Sequence, residues 1–356
     1  MLMEGKWKQS VRRKMLAWFA RNARDLPWRR TKAPYHVWIS EIMLQQTQVV
    51  AVIPYFDRFI AKFPTIESLA KAKEEEVLRL WEGLGYYRRA RQLHKAAAVI
   101  WSEHRGEFPS HHENILALPG VGRYTAGAIR SIAFDQPAAI LEANTLRVFS
   151  RLTGFAGDTT STRGQRVLWE AAEKLLPRKR PGEFNQAMME LGSEVCTPRD
   201  PTCEACPLRL LCPTRAHGLQ DRIPAPKKKT KYEDVFEVCV VVSKKNQVLL
   251  RRCAEGERWA GLWDFPRFAI EPRSGPSFQK ELAESVQRLT GISAHVCERW
   301  KTIKHGVTRF RITLDCHKAY FHSGRRRSDS RWVTRGELAE LPLSTTGRQV
   351  ADGLSG

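Results

Sequence analysis

The sequence predicts two domains, an all-helical domain followed by a smaller domain of mixed helices and strands. In the first half, apolar residues recur three and four positions apart, which is typical of helices that bury one face. In the second half, short valine-rich runs and one helical segment indicate an α+β domain. A basic, proline-broken stretch between them indicates an exposed linker. We predict a helical domain over residues 1–216, a linker over 217–232 and an α+β domain over 233–356.

The elements can be placed in order along the chain. Helical patterns run from about residue 7 to about residue 191, and breaks such as "FPTIES" combine a helix stop with a helix start. In the second half, two strands flank a predicted turn at Lys244 to Asn246, and a helix is predicted to end at Gly291. The stretch "HGVTRFRITLDCHKAYFH" alternates as an exposed strand does.

The charge of the chain favours a nucleic-acid partner. Fifty-nine Lys and Arg against 38 Asp and Glu give a net charge of +21, enough to concentrate a polyanion. A basic soluble surface and an anionic membrane are the alternatives. No apolar run approaches the roughly 20 residues that span a bilayer, and the first residues lack the apolar core of a signal peptide. We therefore expect a cytoplasmic, nucleoid-associated protein without a membrane partner.

Four of the eight cysteines are spaced as ligands of a metal centre. Cys196, Cys203, Cys206 and Cys212 are separated by six, two and five residues. Four thiolates in such a loop suit an iron-sulfur cluster or a structural zinc ion. A disulfide framework is not expected in a chain of this length without an export signal.

A glycine-rich turn precedes one of the predicted helices. In "LPGVGRYTAGAI", Gly120 and Gly122 let the backbone turn sharply and leave amide groups unobstructed at the helix start. Such a turn can hold a DNA phosphate without reading sequence. A plain helix-to-helix connection explains the spacing alone equally well.

These motifs together resemble the endonuclease III superfamily of DNA glycosylases. "LPGVGRYTA" is similar to its helix-hairpin-helix, and the cysteine loop has its iron-sulfur spacing. The motifs "LPWRRTKAPYHVWISEIMLQQTQV", "WEGLGYYRRARQLH" and "FNQAMMELGSEVC" resemble the adenine DNA glycosylase branch, the MutY type. The second domain, through "GLWDFP", resembles the Nudix-like recognition domain of that branch. Because it lacks the paired glutamates of a Nudix hydrolase, we interpret it as a binding domain.

The resemblance implies a monomeric base excision repair enzyme that acts on double-stranded DNA. Such an enzyme removes adenine mispaired with 8-oxoguanine or guanine, and it must extrude the base from the duplex to reach it. A [4Fe-4S] cluster bound by the four cysteines is implied as its cofactor. By resemblance, Gln46, Thr47, Leu84, Tyr86, Gly120 and Gly122 contact DNA, and Trp28, Arg29 and Gln186 line the base pocket. For Leu84 and Tyr86, packing beside the glycine turn is the alternative.

Cleavage of an N-glycosidic bond needs a proton for the purine and a negative charge facing the sugar cation. Two carboxylates in different environments supply both. Glu41 lies in the apolar run "VWISEIML", which predicts burial, a raised pKa and a role as general acid. From periodicity alone, a buried ion pair is the alternative. The resemblance places the family's catalytic acid on Glu41.

The second carboxylate departs from the family pattern. In "ILEANTLRV", Glu142 occupies the place of the catalytic aspartate, Ala143 stands where glycine is usual, and Asn144 is retained. The extra methylene moves the carboxylate by about one carbon–carbon bond, and a misplacement of about 1 Å can cost roughly a hundredfold in rate. A mismatch-binding protein with little or no turnover is therefore the alternative function.

Two further positions carry expectations. Tyr124 falls where bifunctional relatives have a lysine nucleophile, so no Schiff base can form there and we expect no efficient strand cleavage. The resemblance implies that this tyrosine orients the second carboxylate. A bifunctional lyase is a third, disfavoured hypothesis. The family's Phe-Ser-His lesion-probing motif falls on Ile303, Lys304 and His305, where only the histidine is retained; a structural histidine is the alternative.

Overall fold

The computed structural model describes residues 5–226 and 231–354, which form two compact units. One unit contains Met1–Lys71 and Gln92–Lys228, and the other contains Ala72–Arg91 and Lys229–Gly356. Residues 227–230 of the predicted linker lie outside the described residues. Within the described ranges, none of the helices is long and apolar enough to cross a bilayer.

The first unit is helical, as predicted. Val11, Met15 and Phe19 recur every four residues on its first helix, so they bury one face in a core shared with helices from the second half of the unit. The helices up to the cysteine loop are α1 (Gly5–Asn22), α2 (Pro34–Leu44), α3 (Val49–Lys62), α4 (Ile66–Ala70), α5 (Glu74–Trp81), α6 (Arg88–Glu103), α7 (His112–Ala117), α8 (Arg123–Ile132), α9 (Ala143–Thr153), α10 (Thr162–Leu175), α11 (Pro181–Glu194) and α12 (Pro213–Ala216), with 3-10 helices at Pro27–Arg29, Cys203–Ala205 and Arg209–Leu211.

Helix α5 and the start of α6 group with the second unit, although the predicted helical domain of residues 1–216 includes them. Arg348 donates to both carboxylate oxygens of Glu82, at 2.6 and 3.1 Å, and Trp263 donates to Glu75 at 2.8 Å. These bonds join residues more than 180 positions apart in sequence. Local periodicity carries no information about such partners, so the predicted boundary does not separate the two units.

The second unit is an α+β structure built on one seven-stranded sheet. The main order is β3-β2-β1-β6-β5; β4 pairs with β1, and β7 pairs with β2. Strands β1 and β6 run parallel, and the other pairs are antiparallel. The elements are β1 (Glu233–Lys244), β2 (Gln247–Arg252), β3 (Trp263–Asp264), β4 (Arg267–Ala269), α13 (Pro276–Thr290), β5 (Ile292–Val307), β6 (Phe310–Gly324), β7 (Ser330–Thr334), α14 (Arg335–Glu340) and α15 (Thr345–Asp352).

Both faces of this sheet are buried. Val238, Val240 and Val242 pack on one side with residues of α13, while Cys239 and Val241 pack on the other side with residues of α14 and α15. Alternate residues of a strand point to opposite faces, so the continuous apolar run of β1 fits a strand covered on both sides.

Three local predictions can be compared with the structure. The turn between β1 and β2 and the end of α13 at Gly291, whose φ is +80°, are both confirmed. The single exposed strand predicted for "HGVTRFRITLDCHKAYFH" is wrong, because the chain reverses at Thr308–Arg309 and forms two strands. β6 lies between β1 and β5, so much of it is buried.

Candidate active site

A cavity of about 560 Å³ in the first unit brings together most of the residues predicted for catalysis and base binding. Its walls come from the first 3-10 helix, α2, the glycine turn, α8, the start of α9 and α11. The predicted residues that line it are Trp28, Arg29, Glu41, Gln46, Thr47, Gly122, Tyr124, Glu142, Asn144 and Gln186.

Glu41 is a buried acid on a buried helix. Eight of the eleven residues of α2 are buried, and Glu41 is 4% exposed. Its Oε2 accepts a hydrogen bond from the Tyr124 hydroxyl at 2.6 Å. Burial raises the pKa of Glu41 to about 7, the charge of Glu142 adds to this, and the Tyr124 hydrogen bond and Arg29 oppose it. A large fraction of Glu41 therefore carries a proton at neutral pH.

Glu142 occupies the N-cap of α9, where its carboxylate binds the backbone. Its Oε2 accepts from the Asn144 amide and its Oε1 from the Thr145 amide, both at 2.8 Å, and the Thr145 hydroxyl accepts from the Glu142 amide. Burial raises the pKa of Glu142, and the two amides oppose that rise. Shorter polar residues are the usual N-caps; here the longer side chain folds back so that both oxygens meet helix amides.

Tyr124 contacts Glu41, whereas the resemblance implied that it orients the second carboxylate. Its hydroxyl donates to Glu41 Oε2 and lies 3.4 Å from Sδ of Met189. Both oxygens of Glu142 are already occupied by backbone amides, which explains the difference. Burial and the charge of Glu41 raise the pKa of Tyr124 well above its usual value, so it stays a neutral donor.

Glu190 is a site residue that the sequence reasoning missed. It is 1% exposed and accepts hydrogen bonds at 2.8 Å from Arg24 and from Arg29, which lines the base pocket. These two arginines hold the pKa of Glu190 at about 2 against the effect of burial. Glu190 lies four residues after Gln186 on α11, and that spacing could have placed both side chains on one face.

Arg147 is a second missed residue, and it fixes Asn144. Its Nη2 donates to Asn144 Oδ1 at 2.9 Å and to the Gly192 carbonyl at 2.6 Å, while its Nε donates to the Cys196 carbonyl at 2.7 Å. A Cβ on Gly192 would lie 2.7 Å from the Cβ of Asn144, so a side chain there would separate α11 from α9. Partners 45 and 49 residues away left no local signal in the sequence.

The segments predicted to contact DNA have unusual backbone geometry. Gly120 has a φ of +77°, and Gly122 caps α8 with open space where a Cβ would point. Gln46 is exposed and has a φ of +58°, a conformation that costs a non-glycine residue about 1–3 kcal/mol and is found preferentially at functional sites. Thr47 follows it, with its amide bonded to the Leu44 carbonyl at 3.2 Å.

The four loop cysteines lie near one another as free thiols. Cys206 has a pKa raised to about 12 by burial, and the charges of Cys196, Cys203 and Cys212 raise it further. Over the described ranges, no group of three or more His, Cys, Asp or Glu side chains is arranged to hold a metal ion. Four sulfur ligands around the larger volume of an iron-sulfur cluster fit this arrangement better than four ligands converging on one zinc ion.

Three predicted residues lie in the second unit. Leu84 is 7% exposed, whereas Tyr86 is 47% exposed with a φ of +48°. His305 is half-buried beside Trp259, and its Nε2 accepts from Arg267 at 3.2 Å because a guanidinium can only donate. Burial, followed by the charge of Arg267, lowers the pKa of His305, so this imidazole is neutral at neutral pH.

Comparisons with known protein families match both units. Residues 39–174 match the family model for the HhH-GPD superfamily base excision DNA repair protein, and residues 237–352 match that for the NUDIX domain. A human adenine DNA glycosylase is 42% identical over 96% of this chain and 73% of its own length. The adenine DNA glycosylase of Rattus norvegicus is 34% identical over 96% of this chain and 77% of its own length.

Solved structures match the helical part. A thermostable thymine-DNA glycosylase aligns with a TM-score of 0.55 and 33% identity over 60% of this chain and 98% of its own. An endonuclease III trapped on DNA aligns with a TM-score of 0.51 at 24% identity over the same shares, which shows a common fold. Together with the paired carboxylates of the cavity, these similarities establish that the chain belongs to the adenine DNA glycosylase family of base excision repair enzymes.

Proposed function

We propose that this protein hydrolyses the N-glycosidic bond of adenine mispaired with 8-oxoguanine or guanine in double-stranded DNA, without cutting the strand. The observation that carries the proposal is the 2.6 Å hydrogen bond between Tyr124 and buried Glu41, in a cavity that Glu142 also lines. The relatives named adenine DNA glycosylase support adenine as the base.

In the proposed reaction the two carboxylates act at opposite stages of charge. Glu41, protonated because burial raises its pKa to about 7, gives its proton to the departing adenine. Glu142 stays ionised on the helix amides and stabilises the positive sugar as the bond breaks. Water then completes the hydrolysis and leaves an abasic site.

The absence of strand cleavage follows from Tyr124. A lyase step needs an amine that forms a Schiff base with the opened sugar. A phenol with a raised pKa, already hydrogen-bonded to Glu41, offers no such nucleophile at this position.

We further propose that Cys196, Cys203, Cys206 and Cys212 hold a [4Fe-4S] cluster. Their thiol donor set fits it, and two neutral or cationic donors already reach the sulfurs: Arg151 lies 3.4 Å from Cys196 Sγ and Gln220 lies 3.6 Å from Cys203 Sγ. When bound, the cluster supplies a rigid cross-link of the loop. Brown colour and visible absorption distinguish it from zinc.

DNA recognition is assigned to residues with exposed or open geometry. Gly120 and Gly122 present helix amides to a phosphate, and Gln46 and Tyr86 are exposed in left-handed conformations suited to probing a duplex. We propose that the protein acts as a monomer in the cytoplasm, on the nucleoid, and that the second unit reads the base opposite adenine.

The test is adenine release from a duplex with one adenine opposite 8-oxoguanine, under single-turnover conditions. We expect release with strand breaks only after alkali, and little release when cytosine replaces the adenine. An intact duplex after long incubation and alkali would contradict the proposal. The Glu142 substitution makes a mismatch-binding protein the second candidate, which predicts lesion-dependent affinity with no base release.

A further inference from the structure

A second cavity, of about 870 Å³, lies on the other side of α8 from the proposed active site. Arg123, Gly127 and Arg130, spaced four and three residues apart, form one stripe of α8 and line this cavity. Tyr124 and Thr125 point away from that stripe and line the cavity with the two glutamates. One helix therefore separates the two cavities, and the second is not an extension of the first.

The second cavity is strongly cationic. Arg12, Arg123, Arg130, Arg178 and Lys179 line it, together with a single carboxylate, that of Glu173. Glu173 pairs with Arg123 at 2.7 Å, and among the residues that the structure describes no carboxylate pairs with the other four cations. The cavity therefore keeps a net positive charge that attracts an anion.

Two of these arginines are fixed in direction by neutral partners. Arg12 donates to the carbonyls of Lys174, Leu175 and Leu176 at 2.8–3.0 Å, at the end of α10. Arg130 donates through Nε to Gln136 Oε1 at 3.0 Å. The rest of the Arg130 guanidinium makes no hydrogen bond to the described residues. Held side chains with unused donors lose little entropy when they bind a phosphate, which suits a preorganised anion site.

The ligand that best fits is a chain of phosphates. The cations follow directly on the glycine turn, because Gly122 caps the helix that Arg123 begins. Arg123 and Arg130 are seven residues apart, about 10 Å along the helix axis. One strand of B-DNA carries a phosphate about every 3.4 Å of rise, so this row spans about three phosphates.

We propose that this cavity is a second phosphate-binding site, which holds the backbone of a DNA strand beyond the glycine turn. The inference rests on the proposed function, since it takes DNA as the substrate. Phosphate contacts of this kind position the duplex and strengthen binding but carry no sequence information. Free nucleotides offer the same phosphate chemistry, and the experiment separates the two sources.

The test measures how DNA affinity depends on salt. Arg178→Gln with Lys179→Gln removes two exposed cations of the cavity, and Arg130→Gln removes a fixed one. Lys62→Gln with Lys95→Gln removes two exposed cations that do not line the cavity and serves as the matched control. Binding of a duplex that extends on both sides of the mispair is followed by fluorescence anisotropy over a range of salt concentrations.

Each lost phosphate contact reduces the slope of log K against log salt by about 0.9, so the slope should fall by about 1.8 in the double cavity variant. We expect about 0.9 for Arg130→Gln and no change in the control. Unchanged slopes in all variants that retain the wild-type Tm would overturn the proposal. If ATP raises the Tm of the wild type and not of the cavity variants while the slopes stay equal, the site binds free nucleotides and the DNA assignment is wrong.

The wild-type rate of adenine release is measured in parallel and tests the proposed function alone. A reduced slope in DNA binding can be read even if that rate is zero. Failure of the catalytic proposal and failure of the phosphate-site proposal are therefore distinguishable.

Discussion

The two glutamates of the candidate active site have similar side chains and opposite environments. Glu41 sits in the middle of a buried helix and meets one neutral hydroxyl, so burial dominates and favours the protonated acid. Glu142 sits at the start of a helix and meets two amides, which favour the ionised form although burial opposes them. The position on the helix decides the role of each carboxylate, because amide groups are unpaired only at the helix start.

The strongest test of this contrast is Glu41→Gln. The amide keeps the size of the side chain but has no proton to give to adenine, so we expect a loss of about 10²–10⁴ in the single-turnover rate. Asp135→Asn alters an exposed carboxylate in the same unit and is expected to leave the rate unchanged. A Glu41→Gln enzyme as fast as the wild type would assign the acid to another group.

Substitution of Glu142 tests the electrostatic half of the contrast. Glu142→Gln keeps one acceptor for the helix amides and loses the charge, so adenine release should fall by about 10²–10³. Glu142→Asp keeps the charge and is itself a favoured N-cap, so release should equal or exceed that of the wild type. Quench-flow measurement of all three enzymes gives the comparison; equal rates would remove Glu142 from the mechanism.

Tyr124→Phe should have a smaller effect. Loss of one hydrogen bond to Glu41 is worth about 0.5–1.5 kcal/mol, so we expect the rate to change by about tenfold or less. The same variant loses the interaction that lowers the pKa of Glu41, so it should stay active to higher pH. A hundredfold loss at every pH would instead show that the tyrosine takes part directly in the chemistry.

The smallest expected effect is a shift of the pH profile. Because the acid form of Glu41 is required and its pKa is about 7, the wild-type rate should fall as pH rises above about 7. The charge of Glu142 raises the pKa of Glu41, so the residual activity of Glu142→Gln should begin to fall at a lower pH. Rates measured from acid to alkaline buffer test this; identical profiles would show that the two carboxylates do not interact.

The parts of the site that the sequence predicted are those set by local chemistry. Glu41 could be predicted because its apolar neighbours determine its burial, and the turn at Gly120 because only glycine suits its backbone. The partners of Tyr124 and Arg29 could not be predicted, because they depend on helices brought together by folding. The β5–β6 hairpin was missed for a similar reason, since burial between neighbouring strands hides the turn in the alternation.

The grouping of Ala72–Arg91 with the second unit affects how the chain is made. At about 5–20 residues per second, the roughly 140 residues that precede β1 take about 7–28 s to synthesise. During that time Glu82 has no Arg348 to bind, and the segment that carries Tyr86 waits on the ribosome without the rest of its unit. A chain truncated at the linker would leave this segment permanently in that state, exposed to proteases and chaperones.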